Sequence, residues 1–204
     1  MQVNSHFALG MIVGLISYHF FKFPLMITLI IIGAAAIQDL DFLFSKYAKN
    51  NNHRYFFTHS IWPTVIVVSI GLILGEAWII ITGISIFTHI FVDMMDWGLN
   101  LFYNGKIIGL GLLNPELKGK TIDYEAEGIY YKQFYFTKKY FSSKLFVSMD
   151  LAFLITCIVL IIVTQFPWPF LMIAYVITWA YHLNRYFQQK KENERYKNEG
   201  IEDN

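Results

Sequence analysis

The chain has little charge and almost no cysteine. Of its 204 residues only 15% are charged, and Cys157 is the single cysteine. One thiol inside an apolar stretch excludes an intrachain disulfide framework and thiolate ligation of a metal. The net charge of +1 gives no reason to expect a nucleic-acid partner. Any metal must therefore be held by histidine and carboxylate side chains.

The residues in excess are apolar. Hydrophobic residues make up 55% of the chain and aromatic residues 18%, which is well above the composition of a soluble domain. We therefore predict an integral membrane protein of one domain. Residues 1–6 lack a basic region and a small-residue cleavage site, so we expect no removable signal peptide.

Six apolar segments predict an all-α fold, a polytopic membrane bundle of about six transmembrane helices. A span needs about 20 residues, and four of the segments reach that length only with their flanking polar residues, which places histidines and aspartates at helix ends. We predict one domain over residues 1–187, with a loop at 97–144 between helices four and five and a frayed polar tail at 188–204. The segments are residues 7–21, 24–37, 61–74, 77–91, 145–166 and 168–181.

The basic residues indicate how the bundle is oriented. With six spans, 15 of the 16 Lys and Arg residues fall on one side and only Lys22 falls on the other. Basic residues concentrate in cytoplasmic loops. We therefore predict a multi-pass protein of the cell inner membrane, with the C-terminus in the cytoplasm.

Eight histidines and aspartates return to that predicted cytoplasmic side. His89 and Asp93 stand one helical turn apart, so both can reach one cation. A simple hydrogen-bonded pair is the alternative, but ionisable residues in membrane helices are costly and usually serve a function. The eight residues are His6, Asp39, Asp41, His53, His59, His89, Asp93 and Asp96.

Two further motifs flank helices two and three. Asp39 and Asp41 close helix two, where carboxylates oppose the helix dipole unless a cation or donor compensates, although the start of a cytoplasmic loop also tolerates them. Residues 53–60 open helix three. Thr58 or Ser60 can cap that helix, its free N–H groups favour an anion, and Arg54 suits phosphate oxygens.

Three other features have weaker indications. His6 on its own is typical of an interfacial histidine, and its position on the polar side makes it a candidate ligand. His19 lies at the opposite end of helix one and is interpreted as structural, while His182 is an outlying candidate. The aromatic and basic residues 130–141 predict either an interfacial amphipathic stretch or a loop buried on the bundle.

The order of these motifs resembles a known family. Ser5-His6, Asp39-Leu-Asp41, His53-Arg54 to Thr58-His59-Ser60 and His89-x-x-x-Asp93 look like the LexA-binding, inner-membrane-associated metal-dependent hydrolases. The resemblance covers about residues 1–113. The two histidines of the third motif are one residue further apart here than in the family pattern, which favours His59 over His53 as a ligand.

The resemblance implies a membrane-bound, metal-dependent hydrolase. We predict metal ligation by His6, Asp41, His59, His89 and Asp93, with Asp39 behind them or at a second ion. Zn²⁺ fits imidazole and carboxylate ligands best, with Mn²⁺ or Mg²⁺ as alternatives and one or two ions bound. The predicted catalytic residues are Asp39 or Asp96, which would accept a proton from a metal-activated water, and Arg54, which would hold the anion.

The position of the site suggests its substrate. A site at the headgroup level beside an aromatic and basic loop favours a phosphoester of a lipid or isoprenoid-type headgroup, so membrane lipid is both environment and substrate. One alternative is a metal-ion or proton transporter, in which ionisable groups mark a pathway. The other is a regulatory membrane scaffold that uses residues 188–204 as a docking tail.

Overall fold

A computed structural model describes residues 3–49, 52–119 and 121–200. Over these residues the chain is all-helical, as predicted, and contains one isolated β-bridge but no strand. The α-helices are α1 (Val3–Phe21), α2 (Leu25–Ala36), α3 (Trp62–Leu74), α4 (Ala77–Asp96), α5 (Lys132–Ser142), α6 (Lys144–Thr164) and α7 (Leu171–Glu199).

Three segments are long and apolar enough to cross a membrane: Leu25–Tyr47, Ala77–Asp96 and Lys144–Thr164. Helix α3 is apolar, but its 13 residues span about 20 Å against a hydrocarbon core of about 30 Å. Among the described residues, α1 and α7 are not candidate spans by length and hydropathy. The structure thus supports a helical membrane protein with three candidate spans, and the six-span topology remains a prediction.

Close packing of α1 on α2 sets the position of the first histidine. A Cβ atom at Gly10 would collide with the carbonyl oxygen of Ile32, and one at Gly14 would collide with the Ile32 side chain. Small residues of this kind let two helix backbones approach closely. Helix α1 is thereby held along α2, and its first turns lie beside the end of α2. We call the end of the bundle at which α1 begins and α4 ends the polar end.

The sequence suggested that helix two continues through its flanking polar residues, but it does not do so as an α-helix. The α-helix ends at Ala36 and the chain continues as a 3-10 segment, Ile37–Tyr47. Runs of 3-10 helix this long are uncommon and often mark a functional site. The change occurs next to Ala35, whose carbonyl oxygen is 2.7 Å from Nδ1 of His89. This 3-10 segment carries Asp39 and Asp41.

The C-terminal part of the chain packs over the polar end. Residues 132–142 form helix α5 rather than a loop, and its buried face packs Phe134 and Tyr135 against Trp97 and Tyr186 while Phe136 is exposed. Whether the exposed face lies against headgroups stays a prediction.

The polar tail, which we expected to be a frayed and solvated helix end, is helical as the last part of α7 up to Glu199, and its Gln189 and Asn193 are buried. Residues 201–204 lie outside the described residues.

One side chain of that tail holds the preceding loop. The Oδ1 atom of Asn193 accepts hydrogen bonds from the backbone N–H groups of Tyr130 and Tyr131, and its Nδ2 donates to the carbonyl of Gly128. Asn193 is buried as a result. The end of α7 is therefore docked on the chain that leads into α5.

Candidate metal centre

Three histidines from three separate elements meet at the polar end. His6 lies in the second turn of α1, His89 lies in α4, and His59 ends the short 3-10 turn Phe57–His59. All three side chains are fully buried. The rings of His6 and His89 stack with centroids 3.8 Å apart, and the centroid of the His59 ring is 5.0 Å from that of His89.

Asp93 lies against all three imidazoles. Its Oδ1 is 3.2 Å from Nε2 of His6, and its Oδ2 is 3.6 Å from Nε2 of His59. The same Oδ2 is 3.5 Å from Nε2 of His89, one turn earlier on α4. The one-turn spacing of His89 and Asp93 thus brings both side chains to one point, as the sequence predicted.

Asp39 faces the same point from the 3-10 segment. Its Oδ1 is 3.6 Å from Nε2 of His59 and 3.8 Å from Nε2 of His89, while its Oδ2 is 3.9 Å from Nε2 of His6. The sequence interpretation placed Asp39 either behind the ligands or at a second ion. The structure places it beside them, and we call His6, Asp39, His59, His89 and Asp93 the metal cluster.

The spacing and the hydrogen bonding of the metal cluster fit a divalent cation. Neighbouring ligand atoms in a tetrahedron with bonds of about 2.1 Å are separated by roughly 3.4 Å, close to the distances found here. Within the described residues, the buried Nε2 atoms of His6, His59 and His89 have no hydrogen-bond partner. Buried polar atoms are normally satisfied, so three orphaned imidazole nitrogens aimed at two carboxylates indicate a missing ligand.

Two of the histidines have a polar partner at Nδ1, the ring nitrogen that faces away from the cluster. Nδ1 of His89 lies 2.7 Å from the carbonyl oxygen of Ala35, and Nδ1 of His59 lies 3.0 Å from Oδ2 of Asp41. Asp41 also accepts a hydrogen bond from the hydroxyl of Thr58. Metal-binding histidines typically have such partners on the second ring nitrogen. Asp41, which we expected to be a ligand, therefore lies on the far side of His59 from the cluster.

His53 lies closer to the cluster than its spacing suggested. Asp39, His53 and His59 form a second group whose potential ligand atoms lie within 4.8 Å of one another, beside the group of His6, His89 and Asp93. The 3-10 turn His53–Tyr55 brings the ring back, so the structure adds His53 to the residues that could hold an ion.

The two loop histidines have opposite pKa shifts. Burial, reinforced by the nearby His59 and Arg54, lowers the pKa of His53 to about 4. Burial also acts to lower the pKa of His59, but the close contacts with Asp39 and Asp41 and the charge of Asp93 outweigh it and raise that pKa to about 9. Near neutral pH, His53 is therefore a neutral base beside the cluster.

Arg54 is engaged by protein groups rather than open to an anion. Its Nη1 donates to Oδ1 of Asp96 at 2.9 Å and its Nη2 donates to Oδ1 of Asp93 at 3.1 Å. Nη1 also donates to the carbonyl oxygens of Asp93 and Gly98. Burial disfavours the charged form, but the two carboxylates outweigh it and raise the pKa of Arg54 above its ordinary value.

Asp96 is likewise a partner of Arg54 rather than a residue of the cluster. Its side chain is fully buried, both of its oxygens accept from the guanidinium, and Oδ1 also accepts from the N–H of Trp97. The geometry therefore does not support the predicted roles of Asp96 as proton acceptor and of Arg54 as anion holder. Both side chains instead fix the end of α4, which carries His89 and Asp93.

The start of helix three has fewer free N–H groups than the expected anion site assumed. Helix α3 begins at Trp62, three residues after His59, and Pro63 in its first turn has no N–H to offer. The hydroxyl of Ser60 accepts weakly from the N–H of Trp62, whereas Thr58 bonds to Asp41 instead of capping the helix.

One family model matches nearly the whole chain. It is described as YdjM inner membrane protein, and it covers residues 1–191. The chain belongs to the YdjM inner membrane protein family. No curated protein and no solved structure matches it.

Membership of the YdjM family confirms the inner-membrane location predicted from composition and motifs. The YdjM match also extends well beyond residue 113, where the resemblance in the sequence ended, so the C-terminal third belongs to the family as well. LexA binding, hydrolysis and zinc remain predictions, because the description of the YdjM family gives a location and no activity.

One buried carboxylate of this YdjM family member escaped the sequence interpretation. Asp150 lies on α6 and is 5% exposed, with both carboxylate oxygens hydrogen-bonded. It is the only charged residue within the apolar segment 145–166, which is the signal that could have identified it. His19 and His182, by contrast, belong to neither group of potential metal ligands among the described residues.

Proposed function

We propose that the protein is a metal-dependent hydrolase of the inner membrane. The observation that carries this proposal is the convergence of three buried, unsatisfied imidazole nitrogens on two carboxylates, Asp39 and Asp93. Histidine and carboxylate ligands without thiolate favour Zn²⁺, with Mn²⁺ or Mg²⁺ as alternatives. The added reach of His53 leaves room for a second ion.

The proposed ligands are His6, His59, His89 and Asp93. A bound divalent ion would supply a water of lowered pKa and stabilise developing negative charge. We propose that Asp41 orients His59 and that Arg54 with Asp96 orients Asp93. These assignments revise the roles that the sequence suggested for Asp41, Arg54 and Asp96.

The open side of the cluster lies at Asp39 and His53. Asp39 is 8% exposed, more than the other members of the cluster, and His53 is partly exposed beside it. Oδ2 of Asp39 has no hydrogen-bond partner among the described residues. The lowered pKa of His53 leaves its imidazole neutral. With one ion bound, these two residues are placed to accept the proton of an attacking water. With a second ion they would be among its ligands.

We propose a lipid or isoprenoid-type phosphoester as the substrate. Leu40, Leu43 and Phe44 on the 3-10 segment are exposed beside Asp39, so the cluster opens next to an apolar surface. Lys46 follows on the same segment and supplies positive charge for an anionic headgroup. A substrate with an apolar chain and a phosphate matches both features.

The arrangement favours hydrolysis over transport. Within the apolar helices, the buried hydroxyls of Ser17, Thr28 and Ser85 donate to the carbonyls of Val13, Pro24 and Ile31. Only the hydroxyls of Thr64 and Thr164 are buried without a partner among the described residues, and neither is ionisable. A transport pathway needs polar groups available through the membrane depth. The ionisable groups cluster instead at one end.

The test is hydrolysis by purified protein together with its metal content. We expect stoichiometric metal and release of phosphate or headgroup from lipid phosphoesters by the wild type, and loss of both in His59→Ala and His89→Ala. His19→Ala is the matched control, because His19 lies exposed at the opposite end of α1. Hydrolysis that persists in His89→Ala would refute the proposal. Metal binding with ion flux in liposomes and no hydrolysis would favour the transporter.

A further inference from the structure

A second buried polar group lies next to the metal cluster. Ser5 on α1, Tyr140 on α5 and Asp150 on α6 are all buried. The hydroxyl of Ser5 donates to Oδ1 of Asp150 at 2.5 Å, and the hydroxyl of Tyr140 donates to Oδ2 at 2.8 Å. We call these three residues the serine–aspartate network, and it ties three helices together at the polar end.

Two tyrosines fix the position of Asp150. The hydroxyl of Tyr175 on α7 donates to the backbone carbonyl of Asp150 at 3.0 Å. Burial and the Asp150 carboxylate raise the pKa of Tyr140 far above its ordinary value, so Tyr140 stays a neutral donor. Asp150 is thus a fixed acceptor for Ser5.

His6 differs from the other two cluster histidines in what orients it. His59 and His89 each have a partner on Nδ1, namely Asp41 and the carbonyl of Ala35. Nδ1 of His6 is buried and has no hydrogen-bond partner among the described residues. Apart from its contacts within the metal cluster, the ring of His6 is positioned by the backbone of α1 that carries it.

The side chain of Ser5 anchors that part of α1. The neighbouring Asn4 is buried and faces Asp150 and Tyr175, but its amide atoms make no well-aligned hydrogen bond within the described chain. Ser5 immediately precedes His6 and reaches across to Asp150 on another helix. A displacement of this turn would move the imidazole of His6 directly.

We propose that Asp150 is a positioning residue that holds His6 in the metal cluster through Ser5. This inference rests on the proposed function, because it assumes that His6 binds a metal. Asp150 then does for His6, through the backbone, what Asp41 does for His59 through a ring nitrogen. It contacts neither the ion nor the substrate.

The test is Co²⁺ titration of the metal-free, full-length protein, read from the visible absorption bands, which report the number and geometry of ligands. Ser5→Ala and Asp150→Leu each remove the hydrogen bond between Ser5 and Asp150. We expect each to weaken Co²⁺ binding by about 10–100-fold, as for other residues that orient a ligand. Asp150→Asn keeps an acceptor for Ser5 and should restore near-wild-type binding. Tyr140→Phe leaves the Ser5 bond in place and should do the same.

A double-mutant cycle separates positioning of His6 from general destabilisation. If Asp150 acts through His6, adding Asp150→Leu to His6→Ala should cause no further loss of Co²⁺ affinity. Losses that add in full would overturn the inference. Should Asp150→Leu fail to fold, Ser5→Ala alone and with His6→Ala decides the same question.

The outcomes also separate this inference from the proposed function. A wild type that binds no Co²⁺ overturns both. A wild type that binds Co²⁺ while Ser5→Ala and Asp150→Leu bind it equally well overturns this inference alone and leaves the metal cluster standing.

Discussion

Two groups of buried polar side chains lie at the polar end, and they use their hydrogen-bonding capacity differently. In the serine–aspartate network both oxygens of Asp150 accept hydrogen bonds from hydroxyl groups. In the metal cluster the Nε2 atoms of His6, His59 and His89 face carboxylates and have no hydrogen-bond partner among the described residues. Both groups are equally buried, so burial alone does not distinguish a binding site from a structural contact. Unsatisfied ligand atoms do.

The largest effect on metal binding should come from removing one of the imidazoles of the metal cluster. His59→Ala should lower metal affinity by more than about 100-fold, because losing only a group behind a metal ligand already costs about 10–100-fold. Elemental analysis of purified protein measures this, with His19→Ala as the control. Stoichiometric metal in His59→Ala would remove the distinction between the two groups.

Arg54 tests whether a fully paired charge belongs to the structure or to the chemistry. Arg54→Met leaves Asp93 and Asp96 buried without their guanidinium and should destabilise the fold by about 3–5 kcal/mol. Thermal unfolding in detergent measures the loss. A variant with wild-type stability but impaired turnover would instead return Arg54 to the anion-binding role that the sequence suggested.

Substitution of Asp41 tests whether its contact with Nδ1 of His59 strengthens metal binding. Asp41→Asn keeps the shape of the side chain but removes the charge beside Nδ1 of His59, and we expect metal affinity to fall by about 10–100-fold. Competition with a chelator of known affinity measures the change. A complete loss of metal, as in His59→Ala, would mean that Asp41 is itself a ligand.

The smallest effect on metal binding should come from removing a hydrogen-bonded side chain that lies far from the metal cluster. Asn193→Ala removes the partners of three backbone groups at Gly128, Tyr130 and Tyr131. We expect about 1–3 kcal/mol of local destabilisation, seen as faster proteolysis within residues 121–131, with metal content unchanged. Altered metal affinity would show that the docked end of α7 and the cluster are coupled.

Much of the metal cluster was predictable because it depends on local spacing. His89 and Asp93 share a helix face, and the requirement for a spanning length placed His6, Asp39 and His59 at helix ends. The choice between Asp39 and Asp41 was not predictable. The two residues lie on one segment, and only its packing against His59 determines which carboxylate faces the Nε2 atoms.

Other errors came from contacts between residues distant in sequence. The guanidinium of Arg54 was interpreted as available to a phosphate because its partners, Asp93 and Asp96, lie about forty residues away in sequence. They become its neighbours only when the chain folds. The sequence interpretation favoured His59 over His53 as a ligand because of the spacing between them. The 3-10 turn His53–Tyr55 places the ring of His53 beside the metal cluster. The polar residues 188–199 showed no apolar periodicity, yet Gln189 and Asn193 are buried. Gln189 accepts a hydrogen bond from Thr137 within α5, and Asn193 accepts one from the N–H of Tyr130 in the loop before α5.

The sequence by itself determined that this is an all-helical inner-membrane protein with histidine and aspartate gathered at the ends of apolar helices. Composition and helical spacing suffice for that, because apolar length and the 3.6-residue period are local properties. Only the tertiary structure decided which ligand atoms converge and which are already paired. That outcome depends on how α1, α4 and the 3-10 segment Ile37–Tyr47 pack together, and a buried polar atom is satisfied or orphaned only by what the rest of the chain brings to it.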